Sequence, residues 1–178
     1  MKILIIGGSG VIGWNILKFF KDKKIDVDFT FNTNQINRNN SKFLDITNEK
    51  KTSDLITKIN PDIVIHAAAL SNVDLCERNK ELSNQINVNG THNIIKGCQK
   101  TSSKIIYIST SFVFSANNKK YTENDIPSKP KTHYGFTKLE GEKLVLKSEL
   151  ESLILRIDQP YFWKKSWQHT NSVLRVIE

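Results

Sequence analysis

Lys2-Ile3-Leu4-Ile5-Ile6, followed by Gly7-Gly8-Ser9-Gly10-Val11-Ile12-Gly13, decides how this chain is read. Five residues, four of them apolar, predict a strand buried on both faces. From Val11 to Lys21, Ile12, Ile16, Leu17 and Phe20 recur at helical spacing on one face. A strand, a glycine-rich turn and a helix form the opening βα unit of a dinucleotide site. In such a unit Gly7 permits the tight turn, Gly10 lets backbone approach a pyrophosphate, and Gly13 lets the helix pack close to the strand. The helix N-terminus then offers free N–H groups and a positive dipole end to the phosphates. Gly7, Ser9, Gly10, Val11, Ile12 and Gly13 are therefore candidate cofactor contacts. The spacing Gly7-x-x-Gly10-x-x-Gly13 departs from the usual G-x-G-x-x-G, and a glycine triplet alone also serves ordinary turns. The strand before it and the helix after it are what favour a nucleotide site.

The 178 residues suit one domain with a real core, and 38% hydrophobic with 25% charged residues is the balance of a soluble globular protein. No apolar run approaches the ~18 residues that a membrane helix needs. The N-terminal apolar stretch does not read as a signal peptide, because glycines cut it and Lys18, Lys21, Lys23 and Lys24 follow without a small-residue cleavage site. Cys76 and Cys98 read as free thiols, and the expected location is the reducing cytoplasm. The net charge of +8 comes from scattered pairs such as Lys50-Lys51 and Lys119-Lys120 rather than from a basic helix. A solvated surface explains it better than nucleic-acid binding, and part of the excess can help attract an anionic nucleotide.

The remaining elements follow in βα alternation. The second strand spans 27–31 and ends Phe31-Asn32-Thr33-Asn34, without the acid that accepts the ribose 2′-OH of NAD. Arg38 lies just beyond and can neutralise a 2′-phosphate, so the expected cofactor is NADPH, with NADH the alternative. The alternative is that Arg38 is an ordinary loop residue. A short strand over 41–44 leads to Asp45-Ile46-Thr47, with Thr47 a candidate N-cap, and Asn60-Pro61 stops the next helix. Ile63-Val64-Ile65-His66 runs into Ala67-Ala68-Ala69, small residues that leave room for a ligand at the strand's end or simply pack tightly. His66 reads as a satisfied core histidine, and neither it nor Cys76 has metal-ligand spacing to a partner, so no metal site is expected. One long helix is predicted over 79–100, a strand over 104–109, a polar loop over 117–131, a helix over 134–150, a strand over 153–157 and a last helix over 171–178. The fold class is α/β, a Rossmann-like doubly wound parallel sheet of about six strands.

Tyr134 and Lys138 stand four residues apart on a predicted helix and share a face. A nearby ammonium favours the phenolate and lowers the tyrosine pKa, which suits the pair to proton transfer with a carbonyl or alcohol oxygen. Thr110, at the end of the neighbouring strand, can hydrogen-bond that oxygen, and Lys138 can also reach a nicotinamide ribose. Y-x-x-x-K alone is common on helix surfaces. It gains weight from the glycine turn at the start of the chain and the Ser109-Thr110-Ser111 strand end that precedes it.

The chain resembles an extended short-chain dehydrogenase/reductase, most of all the dTDP-4-dehydrorhamnose reductase group. The matching stretches are Gly7 to Gly13, Asp45-Ile46, Ala67 to Ala69 leading to Val73-Asp74 and Glu77, Asn87-Val88-Asn89-Gly90, Ser109 to Phe114, and Tyr134 to Glu142. The resemblance implies that Asp45 and Ile46 lie at the adenine, Ala67, Ala68 and Ala69 lie along the cofactor, and Thr110, Tyr134 and Lys138 form the catalytic set. It also implies that Asn87 supports the lysine. Ser111 and Phe112 replace the last two residues of the group's usual Ser-Thr-Asp-Tyr strand end. Members of the group also carry a C-terminal substrate domain, so residues 1–178 are expected to be the NAD(P)-binding Rossmann domain, C-terminally truncated, with 160–178 beginning the substrate-facing region. Three alternatives follow: a second polypeptide supplies the remainder, the chain is a fragment, or the short chain has lost catalysis; the partner expected is a second copy of the chain or a second chain that carries the substrate domain. The expected activity is NADPH-dependent reduction of a 4-keto nucleotide sugar. The alternatives are a nucleotide-sugar epimerase or dehydratase, and a non-catalytic NADP-binding subunit similar to the β subunit of methionine adenosyltransferase.

Overall fold

Runs rich in Ile, Val, Leu and Phe assemble into one parallel sheet. The computed structural model describes residues 1–160 other than 24, 26, 116–119 and 159. Its six strands are β1 (Ile3–Ile6), β2 (Val27–Phe31), β3 (Ser41–Phe43), β4 (Ile63–His66), β5 (Lys104–Thr110) and β6 (Ser152–Ile157), in the order β3-β2-β1-β4-β5-β6. Every adjacent pair is parallel. The strand order reverses between β1 and β4, and in an open sheet of this kind ligands bind beyond the strand C-termini at that switch.

Alternation along the strands splits the core in two. Ile3, Ile5, Phe29 and Ile65 pack with Leu17 of α1 (Val11–Asp22) on one face. Leu4, Ile6, Val64, Ile105 and Tyr107 pack on the other with Ile56 of α2 (Glu49–Ile59), Ile94 of α5 (Gly90–Thr101) and Val145 of α6 (His133–Lys147). The doubly wound α/β architecture expected from the sequence is what forms.

Three local readings need correction. The predicted single helix over 79–100 is α4 (Lys80–Asn84), a π-helical turn (Gln85–Asn89) and α5, preceded by the unanticipated α3 (Val73–Arg78). Asn79 makes the break: it ends α3 with φ −133° and its side chain accepts from Leu82 N to start α4. The N-cap of α2 is Asn48, whose Oδ1 accepts from Lys51 N at 3.0 Å, and not Thr47, whose hydroxyl instead donates to Asp45. The helix predicted over 134–150 begins one residue earlier, capped by Thr132, and stops at Lys147 rather than residue 150. The expected stop at Asn60-Pro61 is present, with Asn60 left-handed at φ 48°. The predicted helix over 171–178 and the aromatics of 161–169 lie outside the described residues.

Candidate functional site

The glycine turn sits at the switch point. Gly7 has φ 88°, and its N–H donates to Thr30 Oγ1 of β2 at 3.1 Å. A Cβ on Gly7 would stand 2.6 Å from Ala68 N, so the turn touches the backbone that leaves β4. A Cβ on Gly13 would collide with the Gly7 carbonyl oxygen and stand 2.7 Å from Gly8 Cα, so α1 packs on the turn itself. Gly10 differs from both. It is exposed, it is the N-cap of α1, and a Cβ there would meet only Gly7 O, at 3.3 Å. No side chain caps this helix end, and its first turn holds no acid. An open, positive helix end beside a missing Cβ fits an anionic group approaching the backbone. Ser9 is buried, and Val11 and Ile12 are half-buried in the first turn of α1.

Arg38 is exposed after β2, with its guanidinium 5.1 Å above the Trp14 ring of α1. This stacking keeps a cation beside the acid-free end of β2. Asp45 Oδ1 accepts from Thr47 N at 2.9 Å and Thr47 Oγ1 at 2.8 Å, which holds the carboxylate in its own turn. Ile46 is buried against α5: a Cβ on Gly90 would stand 2.6 Å from its Cδ1, and its carbonyl accepts from Asn93 Nδ2 at 2.9 Å. Ala67, Ala68 and Ala69 are half-buried at the end of β4.

Thr110 and Tyr134 meet at the C-terminal end of β5, and Lys138 lies one turn further along α6, over the Tyr107 ring. Thr110 ends β5, buried, its Oγ1 accepting from Phe112 N at 3.3 Å. Thr132 Oγ1 accepts from Gly135 N at 3.1 Å and starts α6. Gly135 lies so close to the Phe112 carbonyl that a Cβ would collide with it, which lets the first turn of α6 rest on the end of β5. Tyr134 is thereby set against Phe112, edge to face at 5.9 Å between centroids. Burial pushes the Tyr134 phenol up to about 12, and a hydrogen bond with Thr110 offsets part of that. Lys138 is 2% exposed, its Nζ 3.9 Å from the centroid of the Tyr107 ring. Burial brings its pKa down to about 7, with Glu142 pulling the other way. The expectation that the lysine draws the phenol down is therefore corrected: desolvation dominates both groups, and the lysine cation faces Tyr107.

Beneath the site runs a buried polar layer. Thr91 Oγ1 donates to Asn87 O at 2.7 Å, so His66 Nε2, 3.0 Å from that hydroxyl, is the donor to it. His66 Nδ1 then has no hydrogen-bond partner, and burial holds the ring neutral. His66 is a half-satisfied core histidine. Asn87 Oδ1 accepts from Leu70 N at 2.8 Å, and its Nδ2 donates to Leu70 O and Thr137 Oγ1, both at 3.0 Å. It therefore ties the segment after Ala69 to the second turn of α6, at the residue before Lys138. It lies in the π-helical turn, a distortion that often accompanies functional sites. Tyr107, Trp14 and Glu142 were missed as site neighbours. Glu142 alone had a sequence signal, its four-residue step from Lys138. Among the described residues no group of three His, Cys, Asp or Glu is placed to hold a metal, and no helix is long and apolar enough to cross a membrane.

A six-stranded Rossmann-type sheet with a glycine turn at the switch point and Thr, Tyr and Lys at the edge defines the short-chain dehydrogenase/reductase pattern. Within it, the chain belongs to the RmlD substrate binding domain family, whose model matches residues 1–174. It is 33% identical over 165 residues to methionine adenosyltransferase 2 subunit beta of Rattus norvegicus, covering 90% of this chain and 47% of that protein. It is 31% identical to dTDP-4-dehydrorhamnose reductase of Aggregatibacter actinomycetemcomitans, covering 87% of this chain and 50% of that one. The crystal structure of dTDP-4-dehydrorhamnose reductase from Bacillus anthracis str. Ames in complex with NADP superposes with a TM-score of 0.85 at 29% identity, over 99% of this chain and 58% of that one. The chain thus spans about half the length of the curated relatives it matches.

Proposed function

We propose that this chain is the cofactor-binding portion of an NADPH-dependent reductase acting on a 4-keto nucleotide sugar. The observation that carries the reading is the half-buried Tyr134 hydroxyl set beside Thr110, on the same helix face as the buried Lys138. NADPH, when bound, supplies the hydride that reduces the carbonyl carbon. Gly7, Ser9, Gly10, Val11, Ile12 and Gly13 would hold its pyrophosphate, Arg38 its 2′-phosphate and Asp45 and Ile46 its adenine side, with Ala67, Ala68 and Ala69 alongside. Thr110 orients the substrate oxygen. Tyr134 gives that oxygen its proton, which a neutral phenol at physiological pH is in the right state to do. Lys138 reaches the ribose and can return a proton to Tyr134. NADP in the Bacillus anthracis structure supports the cofactor, and the reductase relatives support the substrate class.

Tyr134→Phe tests the chemistry. Turnover should fall about 10²- to 10⁴-fold, the usual worth of a general acid, while NADPH affinity stays within about twofold. Unchanged turnover would refute the assignment. The 33% identity to the methionine adenosyltransferase beta subunit favours a second reading, a dinucleotide-binding subunit of another enzyme. Tight NADPH binding with no turnover of any 4-keto nucleotide sugar, and a partner enzyme that co-purifies, would select that reading.

A further inference from the structure

The inner face of α6 carries Tyr134, Lys138 and Glu142 at four-residue steps. Glu142 is 1% exposed, and a buried carboxylate requires partners. It has three donor bonds: Ser109 Oγ to Oε1 at 2.5 Å, Arg156 Nε to Oε1 at 3.0 Å, and Arg156 Nη2 to Oε2 at 2.9 Å. Ser109 and Arg156 are register partners on β5 and β6, and Ser109 immediately precedes Thr110. One side chain thus joins the helix that carries Tyr134 and Lys138 to the strand that carries Thr110. The Arg156 guanidinium also lies 5.2 Å over the Phe114 ring, which stacks on Tyr121 at 4.1 Å, so the anchor extends to the segment after β5. Stability alone is a weak reason for such a group, since apolar replacements of buried ion pairs are often neutral or better.

We propose that Glu142 is a positioning residue of this site: it locks α6 to β5 so that Tyr134 meets Thr110, and it sets a carboxylate, shared with Arg156, one helical turn from the Lys138 amine. The proposal rests on the catalytic reading of those three residues. The groups facing Lys138 are Tyr107 from β5, His66 from β4, and Glu142 on its own helix, with Tyr134 one turn before it. Burial keeps His66 and both tyrosines uncharged, so among these groups Glu142 brings the charge. Glu142 in turn faces Arg156 from β6, and Ser109 and Tyr107 from β5. How much of its charge acts on Lys138 therefore depends on Arg156.

The test is NMR of the full chain carrying ¹³C-labelled lysine, without ligand. The Lys138 ε-CH₂ resonance, assigned by its loss in Lys138→Arg, is titrated in each variant. Glu142→Gln should lower the Lys138 midpoint by about one pH unit, the usual effect of removing a neighbouring opposite charge. Arg156→Gln, which leaves the carboxylate unshared, should raise it. An unmoved midpoint in folded Glu142→Gln overturns the proposal. Should that variant not fold, Glu142→Asp keeps the charge but withdraws it by one methylene, and its midpoint must still fall; no movement overturns the proposal equally. NADPH titration of the wild-type chain separates the two readings. Failure to bind NADPH undoes the catalytic reading while the midpoint shift persists. An unmoved midpoint in a chain that binds NADPH undoes the positioning role alone.

Discussion

One methyl group, added at either of two glycines three positions apart, should have opposite consequences. On Gly13 it meets only backbone: the Gly7 carbonyl oxygen inside contact distance, Gly8 Cα at 2.7 Å and Gly7 C at 2.9 Å. No rotamer change relieves that overlap, so the cost lies toward the upper end of the ~1–3 kcal/mol typical of overpacking. Alanine's better helix propensity returns up to about 1 kcal/mol, leaving a net loss of about 2 kcal/mol. In a domain of this size Gly13→Ala should lower Tm by about 4–8 °C. On Gly10 the methyl meets only Gly7 O, at 3.3 Å, and φ −71°, ψ 168° is open to alanine. The loss of a preferred N-cap residue costs at most about 1 kcal/mol. That methyl does fill the space through which a phosphate would reach the α1 N–H groups. A hydrogen bond to a charged group is worth about 1.5–3 kcal/mol, so its loss should weaken NADPH binding about 10- to 150-fold. Thermal melts and NADPH fluorescence titration of the two variants decide the matter. A folded Gly10→Ala that binds NADPH as wild type does would refute the phosphate site. A Gly13→Ala as stable as wild type would refute the packing argument.

Three further outcomes are expected. Lys138 titrates near pH 7 folded and near its ordinary value unfolded, so between those values the unfolded chain binds the extra proton and stability rises with pH. Urea unfolding of wild type should show this rise above neutrality, and Lys138→Met should abolish it; identical slopes would contradict the burial of the charge. Asn87→Ala strips partners from both Leu70 N and Leu70 O and should cost about 2–4 kcal/mol in urea unfolding; a loss well under 1 kcal/mol would mean the clamp is replaceable. Arg38→Ala should weaken NADPH binding about tenfold and leave NADH binding unchanged; equal effects on both would return Arg38 to the status of a loop residue.

Much of the fold was legible along the chain because it rests on local pattern. Apolar runs of four to six residues bounded by turns, alternating with helical periodicity, specify a parallel sheet wherever they occur, and the glycine turn after the first run specifies its ligand edge. Tyr134 and Lys138 were legible for the same reason, since a four-residue step alone puts two side chains on one helix face. The break at Asn79 was less so: the apolar pattern runs on through it, and only its capping of Leu82 N shows two helices.

Sequence by itself determined the α/β class, the strand order's raw material, the glycine cradle and the identity of the three candidate catalytic groups. Tertiary structure decided their ionisation and their support. The phenol stays high and the lysine low because of what surrounds them after folding, and desolvation has no counterpart in residue spacing. Asn87 reaching Leu70 and Thr137, Arg38 stacking on Trp14, and Glu142 bridging Ser109 and Arg156 are all contacts across long sequence separations or between elements. The Glu142 contacts exist only once the sheet order brings β5, β6 and α6 together, which is why residue spacing alone did not reveal them.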